Sequence, residues 1–254
     1  MFSLANKTAV VTGAGSGIGK AVALTFARQQ ATVYVVDLNR DNAEETVREI
    51  EAFGGKAFAE ACDVTRQQAV CETFQRIGRV DVLVNSAGIS HIGKVETTSE
   101  HDFEKVFQVN VKGVYNCLYA AIPLMKAQGG GAIVNLASIA AVIGLPDRFA
   151  YSMSKGAVYA MTLSVAKDYI KDNIRCNSIS PARVHTPFVD GFLAKNYPGK
   201  EKEMFEKLSQ TQPIGRMGTP DEISKLILYL CSDEASFITG NDYAIDGGFI
   251  KLNN

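Results

Sequence analysis

The chain has 254 residues, of which 46% are hydrophobic and 21% charged, and its formal net charge at pH 7 is −1. This composition is typical of a globular protein with a buried core and argues against disordered, collagen-like and disulfide-scaffold classes. We expect no nucleic-acid partner, because neutralising phosphates needs a basic surface that this charge balance does not suggest.

The cysteines and the uncharged stretches indicate where the protein resides. The five cysteines are widely spaced without a C-x-x-C pair, and no basic and apolar leader opens the sequence. We therefore expect a cytoplasmic protein with reduced thiols. The 20 residues between Lys126 and Asp147 are uncharged, but glycines, Asn135, Ser138 and Pro146 interrupt them. A buried strand followed by a loop is expected there, and no membrane span.

Short β-rich runs alternate with longer segments of helical periodicity. The predicted strands are 7–11, 32–36, 56–61, 80–84, 132–136, 174–179 and 243–245. The predicted helices are 17–30, 41–53, 65–77, 100–127, 151–171 and 220–231. This alternation predicts an α/β fold in one domain, residues 1–254, with a doubly wound, seven-stranded parallel sheet flanked by helices.

The interval from residue 181 to 218 departs from this alternation. It is rich in charged residues and predicts one helix only, at about 200–209. Long irregular insertions in compact domains usually serve as lids or binding loops. We expect a substrate lid at about 187–215, with a solvated surface excursion as the alternative.

A glycine-rich turn follows the first predicted strand in the pattern G-x-x-x-G-x-G, at Gly13, Gly17 and Gly19. Ile18 rules out G-x-G-x-x-G, and the lack of Ser or Thr after Lys20 rules out a P-loop. Glycines in such a turn let the backbone approach a pyrophosphate, which the N-terminus of the next helix binds. The pattern therefore predicts a dinucleotide site.

Asp37 ends the second predicted strand, 18 residues after Gly19. A carboxylate at about this spacing hydrogen-bonds the adenosine ribose hydroxyls and would repel a 2′-phosphate. We therefore expect NAD as the cofactor. Lys20 and Arg40 lie near enough in sequence to leave NADP open as the less favoured alternative.

Tyr151 and Lys155 are four residues apart and so lie on one face of a helix. A free tyrosine titrates near pH 10, but a neighbouring cation lowers its pKa and makes it a usable general acid and base. Ser138, 13 residues before Tyr151, ends the fifth predicted strand, at the sheet edge where such folds bind ligands. The three residues together predict a catalytic site.

Further motifs make the chain similar to the short-chain dehydrogenase/reductase family over essentially its whole length. They are Asp63-Val64, Asn85-Ser86-Ala87-Gly88, Asn110, the segment 181–186 and Asp246-Gly247-Gly248. The resemblance implies a Rossmann fold, an oxidoreductase acting on CH–OH donors with a small-molecule substrate, and a homotetramer.

The resemblance also implies residue roles. Tyr151 would pass the proton, Ser138 would hydrogen-bond the substrate oxygen, and Lys155 would hold the nicotinamide ribose and lower the pKa of the tyrosine. Asn110 would anchor a water relay to Lys155. The implied cofactor residues are Gly13, Ser16, Gly17, Ile18, Gly19, Asp37, Asp63, Val64, Asn85, Ala87, Gly88, Tyr151, Lys155, Val184 and Thr186.

Two positions depart from the family pattern. Ser86 replaces the second asparagine of N-N-A-G, a small polar exchange. Ala182 follows Pro181 where the family usually has glycine, and its methyl group would crowd the cofactor if the position needed a positive φ.

Three arginines are candidates for the substrate site: Arg148, Arg183 and Arg216. Guanidinium groups suit carboxylates, and this part of the chain resembles family members that act on hydroxy acids and keto-deoxy sugar acids. We expect a small polar or carboxylated, sugar-derived substrate, with surface ion pairs as the alternative role of the arginines. His91 is a further candidate, although a lone loop histidine is more often incidental.

Other functions are weighed against this one. A 3-oxoacyl-[acyl-carrier-protein] reductase usually prefers NADPH and a basic docking surface, which Asp37 and the net charge disfavour. A nonenzymatic dinucleotide sensor on the same fold remains a remote alternative, because all four catalytic positions are filled. No metal site is expected, since His101 and His185 lack neighbours at metal-ligand spacing.

Overall fold

The computed structural model describes residues 1–252, with the backbone alone at residues 188 and 196. Its strands are β1 (Thr8–Thr12), β2 (Thr32–Asp37), β3 (Lys56–Ala61), β4 (Val82–Asn85), β5 (Gly131–Leu136), β6 (Ile174–Pro181) and β7 (Asp242–Ile245). Within the described range they form one parallel sheet in the order β3-β2-β1-β4-β5-β6-β7. The predicted fold class is thus confirmed.

The helices cover both faces of this sheet. They are α1 (Gly17–Arg28), α2 (Arg40–Ala52), α3 (Gln67–Ile77), α4 (Glu100–Val106), α5 (Gly113–Ala127), α6 (Phe149–Asp168), α7 (Pro187–Asn196), α8 (Glu201–Gln210), α9 (Pro220–Cys231) and α10 (Phe249–Leu252). One apolar core contains α1 and α9 with Phe26 and Ile227, and the other contains α5 and α6 with Met125 and Val158. Because the inner strands are covered on both sides, they read as continuous apolar runs.

The strand order fixes where a ligand can bind. β1 pairs with β2 on one side and with β4 on the other, so the chain reverses its direction of winding between β1 and β4. In open α/β sheets the crevice at the carboxyl ends of such a strand pair is the ligand site. The glycine-rich turn after β1 and the 85–88 segment after β4 therefore face each other.

Two predicted elements differ from the structure. The predicted helix 100–127 is α4 and α5 joined by a π-helical segment, Phe107–Lys112, which contains Asn110. The interval 181–218 contains α7 in addition to α8, so the prediction of one helix there was wrong. α7 begins with Pro187 and buries Leu193, but its ten residues are too few to show a clear helical period.

The uncharged stretch between Lys126 and Asp147 forms the end of α5, then β5 and a short 3-10 turn at Ile139–Ala141. The expected strand and loop are confirmed. Among residues 1–252, no helix has both the length and the apolar character that a membrane crossing needs.

Candidate active site

The glycine-rich turn brings the ends of β1 and β4 into close contact. Gly13 has φ +64°, and a Cβ atom there would lie 2.8 Å from the Cα of Ala87. A Cβ on Gly19 would collide with the carbonyl oxygen of Gly13. The hydroxyl of Thr12 accepts hydrogen bonds from the amides of Ser86 and Ala87, at 3.1 and 3.2 Å. These contacts leave the N-terminus of α1 open to the crevice.

That opening fits the pyrophosphate of a dinucleotide. α1 has Ser16 as its N-cap without a side-chain cap bond, and its first turn holds no acidic residue. The unpaired amides and the positive end of the helix dipole attract phosphate oxygens. Ser16, Gly17 and Ile18 line the cleft, and Val184 and Thr186 line its other wall.

Asp37 lies at the carboxyl end of β2, beside the glycine-rich turn. Its carboxylate accepts hydrogen bonds from the amides of Gly15 and Asn39, both at 2.9 Å. The two cations that left NADP open are engaged by carboxylates of α2. Lys20 Nζ lies 2.7 Å from Glu49 and 3.5 Å from Glu45, and Arg40 Nε lies 2.8 Å from Glu44.

Several of the remaining implied cofactor residues lie at or just after the carboxyl ends of β3 and β4. Asp63 accepts hydrogen bonds from the amide and hydroxyl of Thr65, and the Val64 carbonyl accepts one from the Asn116 amide at 2.8 Å. Asn85 turns its side chain into the core, where it donates to Asn135.

Ser138, Tyr151 and Lys155 line one cleft at the carboxyl ends of the strands. Ser138 follows β5, whereas the other two lie one turn apart in α6. The Ser138 hydroxyl lies close enough to the Tyr151 side chain to lower the pKa of its phenol. Lys155 Nζ donates to the Leu136 carbonyl at 2.6 Å and lies 5.8 Å from the centre of the Tyr151 ring.

Burial sets the protonation of this group. It raises the pKa of Tyr151, while the Ser138 hydroxyl and the charge of Arg148 lower it. Burial lowers the pKa of Lys155 to about 8, so most of its population carries a positive charge at pH 7. The phenol is therefore held protonated beside a cation that favours its phenolate form.

Asn110 connects the loop after β4 to α6. Its fully buried side chain accepts from the Ile89 amide at 2.8 Å and donates to the Ile89 carbonyl at 2.9 Å and to Ser154 at 3.0 Å. Ser154 in turn donates to the Tyr151 carbonyl at 2.7 Å. The π-helical segment, with its extra residue per turn, aims Asn110 at these partners.

Two of the three predicted arginines reach the cleft. Arg148 precedes α6, and Arg183 follows β6; both line the cleft and both are more than half buried. Arg148 donates to the His91 carbonyl at 3.4 Å, and its guanidinium lies 6.0 Å from the Phe192 ring. Arg183 donates to the Thr211 hydroxyl at 3.2 Å.

The structure does not bring Arg216 to the cleft. Its guanidinium donates two hydrogen bonds to Glu222, at 2.9 and 2.7 Å, and lowers the pKa of that carboxyl to about 2. Glu222 also accepts from the amide of Thr219, the N-cap of α9. Arg216 therefore orders the start of α9, and we do not include it in the proposed substrate site.

The structure also shows where His91 lies and which backbone conformation Ala182 adopts. The His91 ring lies behind the cleft in a smaller cavity, with Nε2 3.6 Å from Asp102. Ala182 does not adopt a positive φ, so its methyl group brings no backbone strain. In the described part of the chain, no three potential metal ligands come together.

Comparison with known proteins agrees with this geometry. Residues 13–250 match a family model described as enoyl-(acyl carrier protein) reductase. The chain belongs to the short-chain dehydrogenase/reductase family. It is 38% identical to the 3-oxoacyl-[acyl-carrier-protein] reductase FabG of Thermotoga maritima, over 97% of this chain and 99% of that protein.

Two further relatives show the range of substrates in this family. The chain is 36% identical to the 2-keto-3-deoxy-L-fuconate dehydrogenase of Xanthomonas campestris, over 97% of this chain and 81% of that protein. The L-sorbose reductase of Gluconobacter frateurii, solved with NADPH and L-sorbose, matches with a TM-score of 0.94 and 31% identity over 99% of both chains. As a short-chain dehydrogenase/reductase, the protein is an enzyme acting on CH–OH donors.

Sequence reasoning did not identify Ser154, Phe192 or Leu208 as contributors to this site. Ser154 links Asn110 to the backbone of Tyr151, a role visible only once the two helices are placed together. Phe192 and Leu208 line the cleft from the 187–215 insertion. An apolar residue among the charges of that segment is the only sequence signal for them.

Proposed function

We propose that the protein is an NAD-dependent oxidoreductase that interconverts a secondary alcohol and its ketone, with Tyr151 as general acid and base. The substrate would be small and polar or carboxylated, and sugar-derived. The observation that carries the proposal is the convergence of Ser138, Tyr151 and Lys155 in one cleft beside the open N-terminus of α1.

The chain's own residues manage the proton in this reaction. Bound nicotinamide would supply or accept the hydride. Ser138 and Tyr151 would both hydrogen-bond the substrate oxygen, and Tyr151 would take the hydroxyl proton during oxidation and return it during reduction. The Lys155 ammonium would stabilise the phenolate and hold the nicotinamide ribose, while Asn110 would support the water relay to Lys155.

The preference for NAD is supported by the charges around the adenosine ribose. Asp37 presents a carboxylate at the end of β2, and the nearby cations Lys20 and Arg40 are already paired with glutamates of α2. A 2′-phosphate would meet repulsion from Asp37 and would have to compete for both cations. NADP is therefore the less favoured cofactor, although the L-sorbose reductase was solved with NADPH.

The second candidate is reduction of 3-oxoacyl groups on an acyl carrier protein. The FabG relative favours it. A neutral thioester chain, however, would not neutralise the cationic side chains of Arg148 and Arg183 in the cleft, and Asp37 disfavours NADPH. We therefore favour a dehydrogenase of a small polar substrate over the acyl carrier protein reductase. A nonenzymatic sensor is the least favoured of the three.

Three further expectations remain proposals. The single domain would carry the 187–215 insertion as a lid, since Val189, Phe192 and Leu208 line the cleft from it. A cytoplasmic homotetramer would bury exposed apolar residues of α5 and α6, such as Tyr119 and Leu163. Light scattering measures the assembly state directly.

The test is a reduction screen with NAD and NADP across hydroxy acids, aldoses, polyols, keto-deoxy sugar acids and, in the reverse direction, 3-oxoacyl thioesters. We expect NAD reduction with a polar or acidic alcohol to exceed NADP reduction. Efficient NADPH-dependent turnover of the thioester alone would favour the acyl carrier protein reductase.

A further inference from the structure

Two guanidinium groups in the cleft have no carboxylate partner. Within the described residues, neither Arg148 nor Arg183 forms an ion pair with Asp or Glu, and no acidic side chain lines the cleft. Arg216 differs from these two arginines, because its guanidinium forms an ion pair with the carboxylate of Glu222. Arg175, which is similarly buried, donates to the carbonyls of Leu230, Ile238 and Ser232.

Arg148 and Arg183 form fewer hydrogen bonds than Arg175 and Arg216. Arg148 makes one long contact with a carbonyl, and Arg183 makes one contact through its Nε atom. Most N–H groups of both guanidinium groups therefore form no hydrogen bond within the described residues. Burial lowers the pKa of each arginine, and the charge of Arg148 lowers the pKa of Arg183 further. An anion between them would relieve both the burial of charge and the repulsion.

An anion bound between Arg148 and Arg183 would not be part of the cofactor. A dinucleotide's phosphates fit the N-terminus of α1, at the glycine-rich end of the cleft, and Lys155 is engaged next to Tyr151. Arg148 stands one helical turn before Tyr151, close enough for its charge to lower the pKa of the phenol. An anionic group between the two arginines would therefore belong to the substrate and lie near the reacting oxygen.

Residues of the 187–215 insertion contact both Arg148 and Arg183. The Phe192 ring of α7 lies over Arg148, and Thr211, directly after α8, accepts a hydrogen bond from Arg183. The cleft measures about 370 Å³ and must also hold the nicotinamide, which favours a small substrate. A bulky or long-chain acid would displace these contacts.

We propose that the substrate is a small hydroxy acid, or the matching keto acid, whose carboxylate bridges Arg148 and Arg183. This inference rests on the proposed function. The reacting hydroxyl is on the carbon next to the carboxylate or one carbon further, within reach of Ser138 and Tyr151. In oxidation the bound nicotinamide would accept the hydride from that carbon, and Tyr151 in its phenolate form would accept the hydroxyl proton, so the carboxylate is unchanged.

The test compares each acid with its uncharged amide. NAD reduction is measured with lactate, 3-hydroxybutyrate and gluconate, and with the corresponding primary amides, for the wild type, Arg148→Gln and Arg183→Gln. The control is Arg28→Gln, which removes an exposed guanidinium at the far end of α1. We expect the wild type to prefer at least one acid over its amide, and each cleft variant to lose about 10- to 100-fold in kcat/KM on that acid alone.

Equal kcat/KM for every acid and its amide, or equal losses on both in the variants, would overturn the proposal. Failure of the proposed function looks different, because then no alcohol of any charge reduces NAD. In that case acetate and acetamide are titrated calorimetrically into the protein with NADH. Acetate binding that Arg148→Gln and Arg183→Gln weaken at least tenfold supports the site, and unchanged or absent binding in the wild type overturns it.

Discussion

At the scale of single residues, opposing influences act on the pKa of Tyr151. Burial raises its pKa, whereas Ser138 and the positive charge of Arg148 lower it. A phenol that is easily deprotonated without a ligand would lose its capacity as an acid in the reductive direction. The buried environment thus suits a group that must act in both directions.

Asp37 is the residue on which the proposed preference for NAD rests. Asp37→Ser removes the carboxylate from the adenosine ribose, so we expect the ratio of kcat/KM for NAD over NADP to fall about 10- to 100-fold. Steady-state kinetics with both cofactors measures the ratio. Asp41→Ser, which removes an exposed acid from the first turn of α2, is the matched control. An unchanged ratio in Asp37→Ser would remove the charge-based case for NAD.

At the scale of elements, α9 shows how the insertion is fastened to the body of the fold. Thr219 and Glu222 form a capping box, and Arg216 holds the same glutamate. Val184 and Gly218 form a parallel bridge at the base of the insertion. α9 packs on α1, where Ser224 and Thr25 hydroxyls lie 2.8 Å apart. The start of α9 is therefore a structural junction.

Thr219→Ala removes the N-cap oxygen of α9. We expect the free energy of unfolding to fall by about 1 kcal/mol, because the Glu222 amide loses its acceptor. Urea denaturation measures the change, and Thr219→Ser, which keeps the hydroxyl, serves as control. Catalytic constants should stay close to wild type. A loss of activity without a loss of stability would mean that this helix start contributes to the cleft.

The elements and motifs that depend on local sequence pattern could be predicted from the sequence. Glycine spacing, the position of Asp37 at the end of β2 and the Tyr151–Lys155 separation all hold in the structure, because each follows from the local pattern of a turn, a strand or a helix. The π-helical segment around Asn110, the link through Ser154 and the pairing of Arg216 depend on partners from distant parts of the chain. No spacing in the sequence encodes them.

At the scale of the whole molecule, a net charge of −1 conceals an uneven distribution. The described cleft is lined by Arg148, Arg183 and Lys155 and by no acidic residue, whereas cations near Asp37 are neutralised by α2. The positive end of the cleft holds the proposed reaction. Asp37, which lies at the end of β2 and does not line this cleft, supports the proposed preference for an unphosphorylated ribose.

The buried charge of Lys155 makes stability depend on pH. Its pKa is about 8 in the folded protein and 10.5 when exposed, so between those values the unfolded state binds more protons. The free energy of unfolding of the wild type should therefore rise with pH relative to Lys155→Met, by about 3 kcal/mol from pH 8 to above 10.5. Below pH 8 the difference between the two proteins should be constant. Urea denaturation of the cofactor-free proteins measures it, and a difference independent of pH throughout would contradict the burial of this charge.

The most direct test of the account is Tyr151→Phe, assayed for NAD reduction with the best alcohol found for the wild type. Equilibrium binding of NADH, followed by fluorescence, establishes that the cofactor site is intact. The account predicts wild-type affinity for NADH and a fall in kcat of about a thousandfold, since a positioned acid and base contributes 10²- to 10⁴-fold. A variant that binds NADH normally and keeps kcat within tenfold of wild type would contradict it.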